Sequence, residues 1–253
     1  MSEAAVTQVG RVAEIVRYPV KSMAGLPAES AVLGWYGLAG DRRFAFRRAG
    51  EASGMPWLTA SRLPELILYH PEGVDERTGQ PLPTHVRTPA GRRLELGSTE
   101  LQAEIAGRFG RAVELMQLRH GIFDEAAVSL ISIATIAGIG REAGLELDRR
   151  RFRANLVIET EERRPFLEDD WVGRTLVFGD REPAPAVSVT MRDERCMMIN
   201  LDPDSAEQDA RVMKTVVRLN GNHAGVYATV TRTGTIRVGD RVTVIAHASA
   251  TGS

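Results

Sequence analysis

Thr235-Ile236-Arg237-Val238-Gly239-Asp240-Arg241-Val242-Thr243-Val244 alternates apolar and polar side chains on both sides of a Gly-Asp step. A period of two is the pattern of a strand with one buried face, and Gly-Asp between two such runs predicts a tight two-residue hairpin. The same signal recurs upstream in short pieces. Val9, Val12, Ile15 and Val16 mark a strand over 9–18, bounded by Pro19. Further short strands are expected over 31–36, 43–47 and 66–70, the last closed by Pro71, and over 153–159 and 172–178. Between 71 and 93, Pro71, Pro81, Pro83 and Pro89 exclude a long helix and predict loops around short strands.

Three helices interrupt this pattern. Thr99 and Gln102 have capping-box spacing ahead of Leu101, Ile105 and Phe109, and Gly110 is the stop. A second helix is expected over 132–143, capped by Ser132, with Ile133, Ile136 and Ala137 on its apolar face and Gly144 at its end. Gly138 and Gly140 weaken its interior. A third is expected over 207–219, with Met213, Val216 and Val217 on one face. Residues 246–253 read as a frayed tail. No βαβ alternation and no internal repeat is visible. The fold class is therefore mainly β (α+β): a β-barrel with a few helices packed on it.

Composition narrows the function classes. The chain of 253 residues is 43% hydrophobic and 26% charged, as expected of a globular protein with a real core. Its 32 basic and 33 acidic residues leave a net charge of −1, which argues against a general nucleic-acid or anionic-membrane binder. No apolar run approaches the roughly 18 residues of a membrane span. Residues 1–10 lack the basic-then-apolar pattern of a secretory signal, so the cytoplasm is the expected compartment.

The chemistry-bearing residues fall into four clusters. Cys196, the single cysteine, stands in Arg195-Cys196-Met197-Met198-Ile199-Asn200-Leu201-Asp202-Pro203-Asp204. It cannot form an intrachain disulfide. It is either a thiolate with work to do, favoured by Arg195 where the two are close in space, or a small buried hydrophobe. Tyr18-Pro19-Val20-Lys21-Ser22 presents an ammonium beside a hydroxyl, a suitable pair for a phosphate, or else a solvated loop. Gly37-Leu38-Ala39-Gly40-Asp41-Arg42 reads as a tight turn holding Arg42 near a ligand, or as a structural Asp–Arg turn. In extended chain, Arg151, Arg153 and Asn155 share one face, as a receptor for an oxyanion or simply as a strand's solvent face. There is no Gly-x-Gly-x-x-Gly after a strand, no Walker loop and no Cys-x-x-Cys, and His70, His85, His120, His223 and His247 lack zinc-like spacing.

In order and spacing the clusters resemble the MOSC domain family, named for the C-terminal domain of molybdenum-cofactor sulfurase. The likeness runs through Pro19-Val20-Lys21-Ser22, Gly37 to Arg42, Arg153-Ala154-Asn155, Arg195-Cys196, Asp202-Pro203-Asp204 and the terminal Gly-Asp segment. Within the family the chain looks most like the amidoxime-reducing molybdenum enzymes and their bacterial counterparts.

The resemblance implies a β-rich N-terminal domain, taken as 1–98, and a MOSC β-barrel domain over 99–253, with molybdenum cofactor (molybdopterin) between them. It implies that Lys21, Ser22, Arg42, Arg153 and Asn155 hold the cofactor, that Ser132 adds a hydroxyl, and that Cys196 is a metal ligand. Asp202 would shape substrate access. The family's Thr-Ala-Arg reads here Thr59-Ala60-Ser61-Arg62, with the arginine one position late, so Thr59 is carried over beside a displaced Arg62. The implied activity is reduction of N-oxygenated small molecules. One cysteine cannot hold an iron–sulfur cluster, so electrons would come from a separate flavin, haem or iron–sulfur protein. A sulfur or cofactor carrier with a persulfide on Cys196 is the alternative.

Overall fold

Strand β1 (Val6–Arg17) closes a barrel. In the computed structural model, which describes residues 6–52, 54–75, 81–121 and 125–245, it pairs on one side with β11 (Leu156–Thr160) and on the other with β16 (Arg241–Ile245). The register against β11 shifts between Val12 and Glu14. This bulge re-phases the strand, so Val12 and Ile15, three apart, both face inward at 1% exposure. At Gly10 a Cβ would lie 2.1 Å from the Glu159 carbonyl oxygen, so only glycine lets the two strands approach there.

From β1 and β11 the wall continues through β10 (Val128–Ser132), β14 (His223–Arg232), β13 (Ala186–Glu194) and β12 (Thr175–Phe178) to β16. The barrel fills with Leu130, Leu156, Ile158, Phe178, Val187 and Val226, among others. Each such residue stabilises by about 1.5–3 kcal/mol when fully buried. Among the described barrel strands only the β10–β11 pair is parallel, and α2 (Ile133–Ala143) makes the crossover between them. A single βαβ unit is thus present where none was expected.

The quoted stretch does not form a hairpin ladder. The turn exists, with Gly239 at φ +87° and Asp240 Oδ2 accepting from the Arg237 amide at 2.8 Å. Its two arms part company, however. β15 (Gly234–Arg237) pairs with β3 (Ser30–Gly34), and β16 enters the barrel. The corner is fastened to β1 instead, with Gly239 N–H donating to Val12 and Val12 N–H donating to Asp240.

The remaining strands are short: β2 (Leu26–Ala28) on β1, β4 (Gly37–Leu38) on β3, β5 (Phe44–Arg48) on β9 (Val113–Gln117), and the sheet β6 (His70–Glu72), β7 (His85–Arg87), β8 (Arg93–Glu95). Residues 64–68 form a 3₁₀ turn rather than the start of a strand, and Pro71 sits inside β6, an edge strand that needs no N–H there.

Helix α1 (Thr99–Phe109) is capped by Ser98, one residue before the expected Thr99, and Gln102 instead accepts from the Leu115 amide at 3.1 Å. The buried side of α2 is Thr135, Ile136 and Ile139, and Ile133 is 36% exposed. On α3 (Ala210–Asn220) Val212, Thr215 and Val216 are buried, and Val217 is exposed. Both faces are rotated by about a residue from the expected ones. The tail expected at 246–253 lies outside the described residues. Among the described residues no helix is long and apolar enough to cross a membrane.

Two further cores flank the barrel. One joins Val20, Phe44, Leu58, Tyr69, Leu101 and Leu201. The other packs Ile136, Val212 and Val216 of α2 and α3 on the outward residues Ile131 and Val157, with Phe152 and Ile199. The first contains α1, which lies beyond residue 98. Conversely, Val12, Ile15, Ala31 and Leu33 belong to the barrel core. The division of the cores therefore does not follow chain order.

Candidate cofactor cavity

The 3₁₀ turn Met197–Asn200 begins at Cys196 and is held from both sides, by Ile199 in the helix-side core and Leu201 in the other. Cys196 itself is exposed, which removes the reading as a buried hydrophobe. It opens onto a cavity of about 1020 Å³ whose wall also carries Lys21, Ser22, Arg42, Thr59 and Arg153. Residues up to 175 positions from Cys196 in sequence thus meet at one place.

Backbone geometry puts them there. Beyond β1 the chain turns at Pro19; Lys21 N–H donates to Phe44 at 2.8 Å and Met23 N–H to Val20. Lys21 and Ser22 are 7% and 4% exposed. Ser22, Arg42 and Arg153 have φ of 67°, 47° and 51°. A left-handed conformation costs a non-glycine residue about 1–2 kcal/mol. Half of the six such residues among those described line this cavity, and backbone strain gathers at functional sites.

Arg42 is oriented by hydrogen bonds. Its guanidinium donates to the Asp41 carboxylate, to Asn155 Oδ1 at 3.1 Å and to the Arg153 carbonyl at 3.4 Å. Asp41, 1% exposed, also accepts from the Tyr18 amide at 2.6 Å. The Tyr18 ring has Arg153 over it at 4.3 Å and Arg42 at 5.4 Å. Burial pushes the Tyr18 phenol up, and the two arginines oppose that only in part, so Tyr18 is a neutral platform for both cations.

Two family models match the chain: the MOSC domain over residues 117–243 and the MOSC N-terminal beta barrel domain over residues 9–109. The chain belongs to the MOSC family. A solved structure similar in fold is the YuaD protein from Bacillus subtilis, with TM-score 0.55 and 14% identity over 97% of this chain and 100% of that one. At that identity the likeness extends to the fold alone. YiiM from Escherichia coli matches at TM-score 0.43 and 11% identity over 94% of this chain and 71% of that one. YiiM from Geobacillus stearothermophilus matches at 0.35 and 16% over 50% and 58%. No curated protein matches the sequence. MOSC domains are associated with molybdenum-cofactor binding.

Three residues expected in the MOSC site do not line the cavity. Asn155 is fully buried; its amide donates to Val16 and its oxygen accepts from Ser129 N–H and from Arg42, so it holds Arg42 from behind. Ser132, 0% exposed, caps α2 by accepting from Thr135 N–H, and Glu168 accepts from its amide. Asp202 accepts from Arg151 at 2.8 Å and from the Asp204 and Ser205 amides, which fixes the loop below Cys196. The expected common face of residues 151, 153 and 155 does not form. Residues 149–152 make a 3₁₀ turn capped by Asp148, and Arg153 ends it in the left-handed region.

Arg195 does not turn towards its neighbour's thiol. At 8% exposure its guanidinium donates to Ala224 at 2.6 Å and Phe152 at 2.7 Å, and its Nη2 makes a 2.9 Å ion-pair contact with Asp193. Arg195 is a strut behind Cys196. Arg62 is exposed and outside the cavity wall, which Ser61 joins instead.

Sequence reading missed Asp169, Arg192, His223 and Tyr227, which also line the wall. Arg192, His223 and Tyr227 lie on β13 and β14; the alternation of Val187 and Val189 was the available signal. The lining holds six basic against four acidic side chains. Among the described residues no three His, Cys, Asp or Glu side chains are grouped to hold a metal ion.

Proposed function

We propose that this MOSC protein binds molybdenum cofactor in the Cys196 cavity and works as a molybdenum-dependent oxidoreductase on N-oxygenated small molecules. The observation that carries the reading is the placing of one exposed thiol among Lys21, Ser22, Arg42 and Arg153 in a single cavity. The residues suit the group. An ammonium, a hydroxyl and guanidinium donors match a phosphate-bearing pterin, and a thiolate is the soft ligand that suits a sulfur-rich metal centre.

Lys21, Ser22 and Arg42 would hold the cofactor's phosphate and pterin, with Arg153 and Thr59 continuing the wall. Asn155 would act by orienting Arg42, and Cys196 would be the protein's metal ligand. Bound there, molybdopterin supplies two-electron redox chemistry at molybdenum, which matches reduction of a hydroxylamine to an amine and water. The electrons would come from a separate donor protein.

The test is metal analysis of protein made in a host that synthesises the cofactor. Near-stoichiometric molybdenum that disappears in Cys196→Ser is expected. Molybdenum-free protein after gentle purification would overturn the reading.

The exposure of Cys196 equally suits a sulfur carrier, which must present its thiol to a partner. A mass increase of one sulfur on Cys196, reversed by reductant, together with no turnover of a hydroxylamine by dye-reduced protein, would favour the carrier.

A further inference from the structure

The methionines of this chain are unevenly spread. Met55, Met191 and Met198 line the Cys196 cavity. Among the described residues the exposed methionines are Met55, Met191 and Met197, two of them on this wall and the third next in sequence to the thiol. Val172, on the same wall, is exposed as well. Separate segments of the chain supply these side chains, so the apolar surface is not the by-product of one apolar run. Apolar side chains left exposed together mark a place where something binds.

Strand β13 is re-phased twice to present them. Its register against β14 shifts between Val189 and Met191 and again between Arg192 and Glu194. A regular strand offers every second residue to one face, yet residues 190–196 all line the cavity. The two bulges re-aim the strand. Val187 and Val189 stay in the barrel core, and Met191 comes out at 41% exposure. Met191 stands directly opposite Tyr227 on β14, where the Thr190 hydroxyl donates to the Tyr227 carbonyl at 3.2 Å. An opposed pair shares one face, with Cβ atoms about 4.5–5.5 Å apart, and both of these residues line the cavity. A thioether and an aromatic ring are thus set side by side.

The charged residues of β13 have partners within the protein. Arg192 contacts Asp169 at 3.7 Å, Asp193 pairs with Arg195 at 2.9 Å, and Glu194 accepts from Asn222 at 3.2 Å. What this part of the wall offers an incoming molecule is therefore apolar and polarisable rather than charged. Methionine adapts its shape to a partner, and its sulfur makes favourable contacts with aromatic rings. Tyr227 adds a ring that an aromatic partner can stack on or meet edge-to-face.

We propose that Met55, Val172, Met191 and Tyr227 select the substrate of the Cys196 cavity by holding an uncharged aromatic body, with the reacting end of the molecule at Cys196. The aromatic body is inferred from the wall itself; that the reacting end is an N–O group rests on the oxidoreductase reading above.

The test uses Cys196, the single thiol, as a reporter in metal-free protein. N-(2-naphthyl)iodoacetamide carries an uncharged aromatic body on a thiol-alkylating end, and iodoacetamide carries that end alone. The ratio of their alkylation rates, divided by the same ratio for glutathione, measures the hold on the body, because the reactivity of the thiol itself cancels. A preference of ~10-fold or more over glutathione is expected, with saturation in the naphthyl reagent. Met55→Ala combined with Met191→Ala should lower it at least ~3-fold. Both side chains are exposed, so the fold should be kept. Trp35→Ala, which removes an exposed ring outside the cavity wall, should change the preference less than ~1.5-fold. No preference over glutathione, a preference unmoved by the two methionine substitutions, or an equal loss in Trp35→Ala would overturn the assignment. Molybdenum content is read separately. Its absence beside a high preference removes the oxidoreductase reading and keeps the aromatic mouth; its presence without any preference does the reverse.

Discussion

Arg195 Nη1 donates to the carbonyl oxygen of Phe152 over 2.7 Å, so the residue before Cys196 is tied to the residue before Arg153. The same guanidinium reaches Ala224 and Asp193, and its carbon lies 5.7 Å from the Phe152 ring centre. The two motifs that meet in the cavity are therefore joined behind it by a buried cation.

Arg195→Ala should be strongly destabilising. It strands Asp193, 1% exposed, with only part of its bonding. Removing one partner of a buried pair costs about 3–5 kcal/mol. At about 2–4 °C per kcal/mol for a chain of this size, the melting temperature should fall by ~6–20 °C. Calorimetry checks this, and a change under ~2 °C would contradict the strut.

Cys196→Ser should leave stability within about 0.5 kcal/mol of the parent, because the thiol is exposed and caps nothing. In native metal-free protein, dithionitrobenzoate should label Cys196 fully, within ~10-fold of the denatured-state rate. Slow labelling would mean a thiol closed off from solvent.

Ser132→Ala should cost about 0.5–2 kcal/mol through loss of the α2 cap, with molybdenum content per folded protein unchanged. Urea unfolding and metal analysis separate the two effects. Loss of metal without loss of stability would return Ser132 to the site.

Glu168 gives a pH signature. It is 0% exposed, and burial pushes its carboxyl up, against hydrogen bonds from Ser132 and Thr135 that oppose the shift. Its folded value thus lies above its unfolded one, and the native state keeps a proton that the unfolded chain has released. The contribution is complete below the unfolded value, about 4.3, and is lost as pH rises through the window up to the folded value. Glu168→Gln should flatten the fall in unfolding free energy as pH rises above ~4.3. An unchanged slope would show that Glu168 is charged in the native protein.

What was legible in the sequence divides by physical cause. Strands with one buried face, such as Val9–Ile15, announce themselves, and so do helix stops at Gly110 and Gly144. Lys21, Ser22, Arg42, Thr59, Arg153 and Cys196 could be named because their order and spacing match a family pattern, and they share a cavity. Pairing is a different matter. Nothing local in Thr235–Val244 shows that its arms go to different sheets, because that choice is made by β3 and β1, some two hundred residues upstream. The glycines of α2 were also misleading. At Gly138 a Cβ would lie 2.6 Å from Pro165 Cγ, so the residue that weakens the isolated helix is what lets it pack. The roles of Asn155 and Asp202 were hidden for the same reason, since both act through an arginine brought to them by folding.

The pairing of β1 with β16 has a consequence for synthesis. Val6 lies opposite Ile245 and Arg11 opposite Arg241, so the first and last described strands are neighbours. During translation, Lys21 and Ser22 emerge early, but the wall that carries them keeps an open edge until residues 241–245 have left the ribosome. Contacts of such long separation form slowly. Any ligand of the Cys196 cavity therefore meets a barrel already closed by residues 241–245, and deleting those five residues should unmake a site whose Lys21 and Ser22 lie some two hundred positions away.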